Sequence, residues 1–208
     1  MKRILLTTFA IVGMTTGLQA QMSFGLRTAA NFAKEVRYSS YGSSAYPAIT
    51  RLHVEAYVEL ALRNNFALQP GVALQQTGSK MSTGSQNGEI LMDGWRKVQY
   101  LEVPLNLMYY FPQNNFGQFF LAGGPYTSVA ISGKEKFSRT VEEIQFGTRK
   151  NSNEMKKYDA GLNFLAGFKL TNGFSVHGGY GLGLLDIKLD DKISTYNRVF
   201  SIGLGYQL

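Results

Sequence analysis

Arg27, Arg51, His53, Glu55, Glu59, Arg63, Glu102, Asp159, Lys169 and His177 stand out as ionisable side chains spaced through segments of regular hydropathy. Carboxylates beside imidazoles are the raw material of proton transfer, and a hydroxyl beside an imidazole is that of nucleophilic catalysis. Only two histidines, His53 and His177, and no cysteine are available, so a metal site lacks both ligands and ligand spacing. "GYGLGL", from Gly179, carries glycines spaced as in a nucleotide loop, but no helical pattern follows it.

What positions these residues is a period of two. In "RLHVEAYVELALR", Arg51 to Arg63, the even positions Leu52, Val54, Ala56, Val58, Leu60 and Leu62 are aliphatic, and the odd positions carry Arg51, His53, Glu55, Glu59 and Arg63. At helical spacing the same apolar residues would wrap the whole circumference, so the stretch is a strand with one apolar and one charged face. Alternation of this kind recurs from Ser23 to Phe32, Phe66 to Gln75, Tyr100 to Phe111, Gln118 to Ile131, Tyr158 to Leu170, Phe174 to Leu184 and Phe200 to Leu208. The expected fold class is all-β: an eight-stranded antiparallel up-and-down transmembrane barrel. Pro70, Pro104 and Pro125 fall inside strands, where bulges or strand ends are expected.

Short connections (Asn64-Asn65, Pro112 to Gly117, Thr171 to Gly173) alternate with long ones after the first, third and fifth strands. Segregation of tight turns to one end and long loops to the other is the pattern of an outer-membrane barrel. An eight-stranded interior is only wide enough for side chains to fill it. Large Leu and Phe residues from eight strands would crowd that space, so the apolar face is expected to meet lipid and the polar face to line the lumen. Parity then places the ionisable residues above inside, with Arg27 and Glu59 expected to form a cross-strand ion pair. Glycines 179, 181, 183, 203 and 205 leave room along one wall, either for a narrow conduit or for long side chains such as Arg27 or Tyr126.

The leader "MKRILLTTFAIVGMTTGLQA" has a basic start, an apolar run and a small-residue end, the order of a secretory signal peptide over residues 1–20, ahead of a barrel domain over 21–208. The formal net charge of +7 falls by two if Lys2 and Arg3 are removed with it. An exported basic chain rarely meets nucleic acid; outer-membrane lipid and lipopolysaccharide are the expected partners.

Four segments, "YLEVPLNLMYYF" (Tyr100 to Phe111), "FFLAGGPYTSV" (Phe119 to Val129), "YDAGLNFLAGFKL" (Tyr158 to Leu170) and "YGLGLLDI" (Tyr180 to Ile187), resemble the PorT-like outer-membrane β-barrel family of Bacteroidetes. The resemblance implies an eight-stranded barrel in the outer membrane, with some members linked to protein secretion, and makes Pro104 and Pro125 family features.

Function is then expected from a polar, largely plugged lumen and from the outer loops, with a narrow pore for small solutes as the alternative. Some eight-stranded barrels modify lipid A with serine and histidine on the outer wall; here both histidines point inward by parity, so no catalysis and no cofactor are expected. Loop candidates for contact with a protein partner are Tyr38, Tyr41 and Tyr46 in the first long loop, and Lys134, Lys136, Arg139, Arg149 and Lys150 in the Gly133 to Lys157 connection. The latter has β character from Val141 to Phe146 and is expected to protrude as a hairpin offering a strand edge. The barrel is expected to be monomeric.

Overall fold

Period-two alternation leaves the backbone only one way to satisfy its hydrogen bonds next to lipid, which is to pair every strand on both sides. The computed structural model describes residues 22–40, 42–81, 84–86, 89–91, 94–137, 139–147, 154–189 and 193–208. Eight long strands form the wall: β1 (Met22–Ser39), β2 (Ile49–Ala61), β3 (Phe66–Met81), β4 (Gly94–Tyr110), β5 (Gly117–Phe137), β6 (Tyr158–Leu170), β7 (Phe174–Gly183) and β8 (Ile193–Gln207). Each pairs antiparallel with its neighbours in sequence. The ring closes where β1 meets β8, with Gly25 opposite Gln207 and Ser39 opposite Ile193. Short strands at the rim, Gly42–Ala45 against β1 and Thr140–Glu143 against β5, extend the same sheet.

The apolar face is on the outside. Leu26 is 63% exposed and Leu204 58%, whereas Glu35 and Glu102 on the inner face are 0% and 1% exposed. Aromatic pairs mark both edges of the apolar band: Phe66 with Tyr109, Phe119 with Phe168 and Phe174 with Tyr206 at the short-turn end, and Phe32 with Phe200 at the other.

Strands run well past the segments that alternation marks. β1 continues beyond Phe32 to Ser39, β3 beyond Gln75 to Met81, β5 beyond Ile131 to Phe137, and β8 begins at Ile193 rather than at Phe200. Much of what the sequence presents as long loops is therefore wall. Beyond the apolar band both faces meet polar surroundings, so the contrast that reveals a strand disappears while the strand persists.

A register shift lies where Gln99 faces Ser132 and Tyr100 faces Ala130, leaving Ile131 as an extra residue in β5. It inverts the facing above it. Ile131 and Ser132 are both exposed, Gly133 and Glu135 are buried, and Lys134 points outward. The prolines do not produce such shifts. Pro70 faces Leu105, Pro104 faces Tyr126 and Pro125 faces Leu162, all in register. Instead, neighbouring ladders lapse beside them: β2–β3 between the pairs Tyr57–Gly71 and Leu60–Leu68, β3–β4 between Pro70–Leu105 and Ala73–Glu102, and β4–β5 between Pro104–Tyr126 and Leu107–Gly123. The expected bulges or strand ends are thus local gaps, because a missing donor costs one ladder only at its own rung.

The β2–β3 turn closes with Leu62 N–H donating to the Phe66 carbonyl at 2.7 Å and Phe66 N–H to the Arg63 carbonyl at 3.3 Å, and Asn64 and Asn65 within it are both left-handed, at φ 58° and 65°. Asparagine tolerates this conformation where β-branched residues do not. Asn65→Val is expected to destabilise the barrel by about 1–2 kcal/mol, and Asn65→Gly to leave it unchanged, as read by urea unfolding in micelles.

Candidate functional site

Inward side chains on the eight strands assemble a buried polar network along the axis. At the short-turn end Glu59 is the hub: its Oε2 accepts from Gln69 Nε2 at 2.6 Å and from the Tyr110 hydroxyl, and its Oε1 accepts from Gln207 Nε2 at 3.0 Å. Lys169 Nζ lies 3.9 Å from Glu59 Oε1 and donates to Gln207 Oε1 at 2.9 Å. Side chains of β2, β3, β4, β6 and β8 thereby meet at one carboxylate. Ala67, Met108, Tyr110 and Phe120 pack as an apolar cluster at the same end, with Leu165 against them.

Arg27 does not pair with Glu59. Register sets Arg27 opposite Glu55 and Ser23 opposite Glu59, because β1 lies four residues further toward the outer end against β2 than turn counting suggests, with Met22 facing Leu60. Arg27 Nη1 is 3.6 Å from Glu55 Oε2, and its Nη2 donates to Gln69 Oε1 at 2.7 Å, which links it to Glu59 through one amide. His53 continues the chain, with Nε2 3.3 Å from Glu55 Oε2 and Nδ1 2.7 Å from Gln75 Oε1. Glu102 accepts from Asn163 Nδ2 at 3.0 Å, and Asp159 Oδ2 accepts from Asn197 Nδ2 at 2.8 Å and from the Tyr126 hydroxyl at 3.4 Å. Arg51 is half-buried and donates to the Arg96 carbonyl at 3.1 Å. Along the glycine wall, a Cβ at Gly203 would meet the Thr28 carbonyl oxygen, and Ala29 Cβ and His177 Cε1 at 2.7 Å, and one at Gly205 would lie 3.8 Å from Arg27 Cβ. Arg63 is an exception to inward parity; β2 ends at Ala61, and Arg63 sits exposed in the turn.

A cavity of about 40 Å³ remains between Arg27, His53, Glu55, Glu102, Asn163 and His177, room for a few water molecules. Among the described residues no group of three His, Cys, Asp or Glu is placed to hold a metal ion.

Above the cavity lies a second cluster. Arg96 Nη1 reaches Glu35 Oε2 and Arg96 Nη2 reaches Glu135 Oε1, both at 2.8 Å. Glu35 belongs to β1, and Arg96 and Glu135 belong to β4 and β5 on the opposite side of the ring, so one guanidinium struts the outer end across its width. Ile144, Met155 and Ile187, from the connecting segments, pack inside the mouth against Val98, Tyr100 and Ala130.

The profile of the outer membrane protein beta-barrel domain family matches residues 11–189. The chain belongs to that family. Its place is accordingly the outer membrane, with the apolar band in the bilayer. A search among curated proteins finds no match. Solved structures similar to this outer-membrane barrel include the attachment invasion locus protein Ail of Yersinia pestis, at 13% identity and TM-score 0.44 over 89% of this chain and 99% of that one. Neisserial surface protein A is similar at 12% identity and TM-score 0.46, over 89% of this chain and 96% of that one. So is the outer membrane protease OmpT of Escherichia coli, at 11% identity and TM-score 0.37, over 93% of this chain and 99% of that one.

Arg96 stands past the outer edge of the apolar band: going toward the start of its strand, the outward residues change from Val103 and Leu101 to Gln99, Lys97 and Trp95. Burial favours loss of its proton, but Glu35 and Glu135 outweigh burial and hold the guanidinium above its ordinary range. Glu35, Arg96 and Glu135 escape a reading of the sequence because they lie in strand extensions, and Glu135 also lies beyond the inverted register.

The loop residues divide. Tyr38 is exposed, with its ring edge-on to Tyr196 at 5.7 Å. Tyr46 is half-buried beneath the Arg37 guanidinium at 4.4 Å. Lys134 and Arg139 are exposed and Lys136 is half-buried. Tyr41, Arg149 and Lys150 lie outside the described residues. The Gly133 to Lys157 connection does carry a hairpin, Thr140–Glu143 folded onto β5, but Ile144 and Met155 turn back to cap the lumen.

Proposed function

We propose that this barrel is a non-conducting, non-catalytic interaction protein, which anchors in the outer membrane and presents its outer hairpins to a partner. The carrying observation is closure at both ends, by Glu59 with its donors on one side and by the Arg96 strut with Ile144, Met155 and Ile187 on the other. Such a network is polar filling interrupted by one small cavity rather than a continuous channel lining. Placement among the PorT-like barrels of Bacteroidetes, an accessory role in protein secretion, and export by cleavage of residues 1–20 belong to the same reading. So does a monomeric state, since the outward wall between its aromatic rings is matched to lipid all round.

Planar-bilayer recording tests closure. Wild type is expected to be silent, and the Glu59→Ala/Tyr110→Ala/Arg96→Ala variant to flicker open; steady unitary currents from wild type would overturn the reading. In that event the polar cavity between Arg27, Glu55 and His177 becomes the waist of a narrow pore. Photo-crosslinkers at Tyr38 and Arg139 in intact cells are expected to capture a discrete protein, whereas no adduct from either position argues against presentation by these hairpins.

A further inference from the structure

Register around the ring brings two cations face to face on the outer wall. Lys34 of β1 is directly opposite Arg198 of β8. Both point outward, since their neighbours Ala33, Glu35, Asn197 and Val199 are buried. Like charges directly opposite on adjacent strands destabilise a sheet. Among the described residues neither has a carboxylate within ion-pair distance. Asp159 on the lumen side attracts Arg198 only from beyond ion-pair distance, so the outer side of the pair is left open to an anion lying between them.

The position says which anion. Two residues further into the membrane on the same strands are Phe32 and Phe200, also paired, with ring centroids 6.1 Å apart and at the edge of the apolar band. Lys34 and Arg198 thus stand at the height where acyl chains give way to phosphorylated headgroups. Arg198 is held in place: its Nη1 donates to the carbonyls of Gly183 at 2.6 Å and Asn197 at 2.8 Å, and its guanidinium lies over the Tyr196 ring at 5.7 Å from the centroid, which leaves Nε and Nη2 without a hydrogen bond among the described residues. A guanidinium fork and an ammonium side by side match a phosphate.

We propose that Lys34 and Arg198 form a clamp on the lipid-facing wall for a phosphate of an outer-leaflet glycolipid, whose acyl chains lie against Phe32 and Phe200. A comparable cation pair, Lys97 opposite Lys134, lies across the ring on β4 and β5, but Glu143 stands on the other side of Lys134. That pair is partly compensated within the protein and serves as an internal control.

The test is thermal unfolding of the whole barrel in zwitterionic micelles, alone, with diphosphoryl lipid A, with the same lipid stripped of phosphate, and with inorganic phosphate. Ligand that binds only the folded barrel raises its melting temperature. Wild type is expected to respond to diphosphoryl lipid A alone, with a response that shrinks at high salt. Lys34→Gln/Arg198→Gln is expected to lose the response and Lys97→Gln/Lys134→Gln to keep it. Lys34→Glu is expected to melt higher than wild type without lipid, because it replaces repulsion by attraction, and to lose the lipid response. The clamp is overturned by an equal response to stripped lipid or to inorganic phosphate, by equal losses in the two glutamine variants, or by a lower lipid-free melting temperature for Lys34→Glu.

Discussion

Val58→Arg is expected to prevent most of the protein from reaching its inserted, heat-resistant form. Val58 lies on β2 opposite Phe24 and lines the outer wall with Leu26 and Val72, well inside the apolar band. An arginine there places a charge among acyl chains at a cost of about 2–4 kcal/mol near the midplane, falling to about 0–1 near the interface. Thr50, on the same face of the same strand and opposite Phe32 at the band's edge, supplies the comparison: Thr50→Arg is expected to fold almost as wild type. Urea titration of folding into lipid vesicles measures both. Equal stability of the two variants would contradict the outward facing of Val58 or its depth.

Arg96→Met carries the second large effect. Removing the guanidinium leaves Glu35 and Glu135 buried and facing each other without a counter-charge, and breaking a buried pair in this way costs about 3–5 kcal/mol. Because Arg96 joins opposite sides of the ring, the loss is expected to appear as earlier fraying of the outer end, seen as faster amide exchange in β1 above Asn31 and in β5 above Ala130. Replacing all three, as Arg96→Met/Glu35→Gln/Glu135→Gln, is expected to recover most of the stability, since neutral amides hydrogen-bond without needing a cation. Unchanged unfolding of Arg96→Met would remove the strut from the account of closure.

How far the sequence reveals this molecule depends on where each residue sits relative to the bilayer. Leu52 to Leu62 announce a strand because lipid on one side and a polar lumen on the other impose opposite demands on alternate residues. Glu35 and Arg96 obey the same backbone geometry, yet their neighbours Lys34 and Lys97 are as polar as they are, so no contrast marks them. Glu135 is harder still, since one extra residue at Ile131 reverses which neighbour faces inward. The hub at Glu59 is half visible: parity assigns it to the lumen and Gln69 sits on the next strand of the same hairpin, but its donors Tyr110 and Gln207 come from strands distant in sequence, and only register brings them together. A similar blindness explains Arg27, whose partner depends on the offset between β1 and β2, a quantity that alternation leaves free.

The junction of β1 with β8 sets an order of events for assembly. Gly25 cannot meet Gln207 until every intervening strand has been delivered, and contacts between the most distant parts of a chain are the slowest to form. Until then two unsatisfied backbone edges stay open at once, each a template for the wrong neighbour. The closing suture is thus the point at which the unfinished barrel has most open edge to lose to a wrong neighbour.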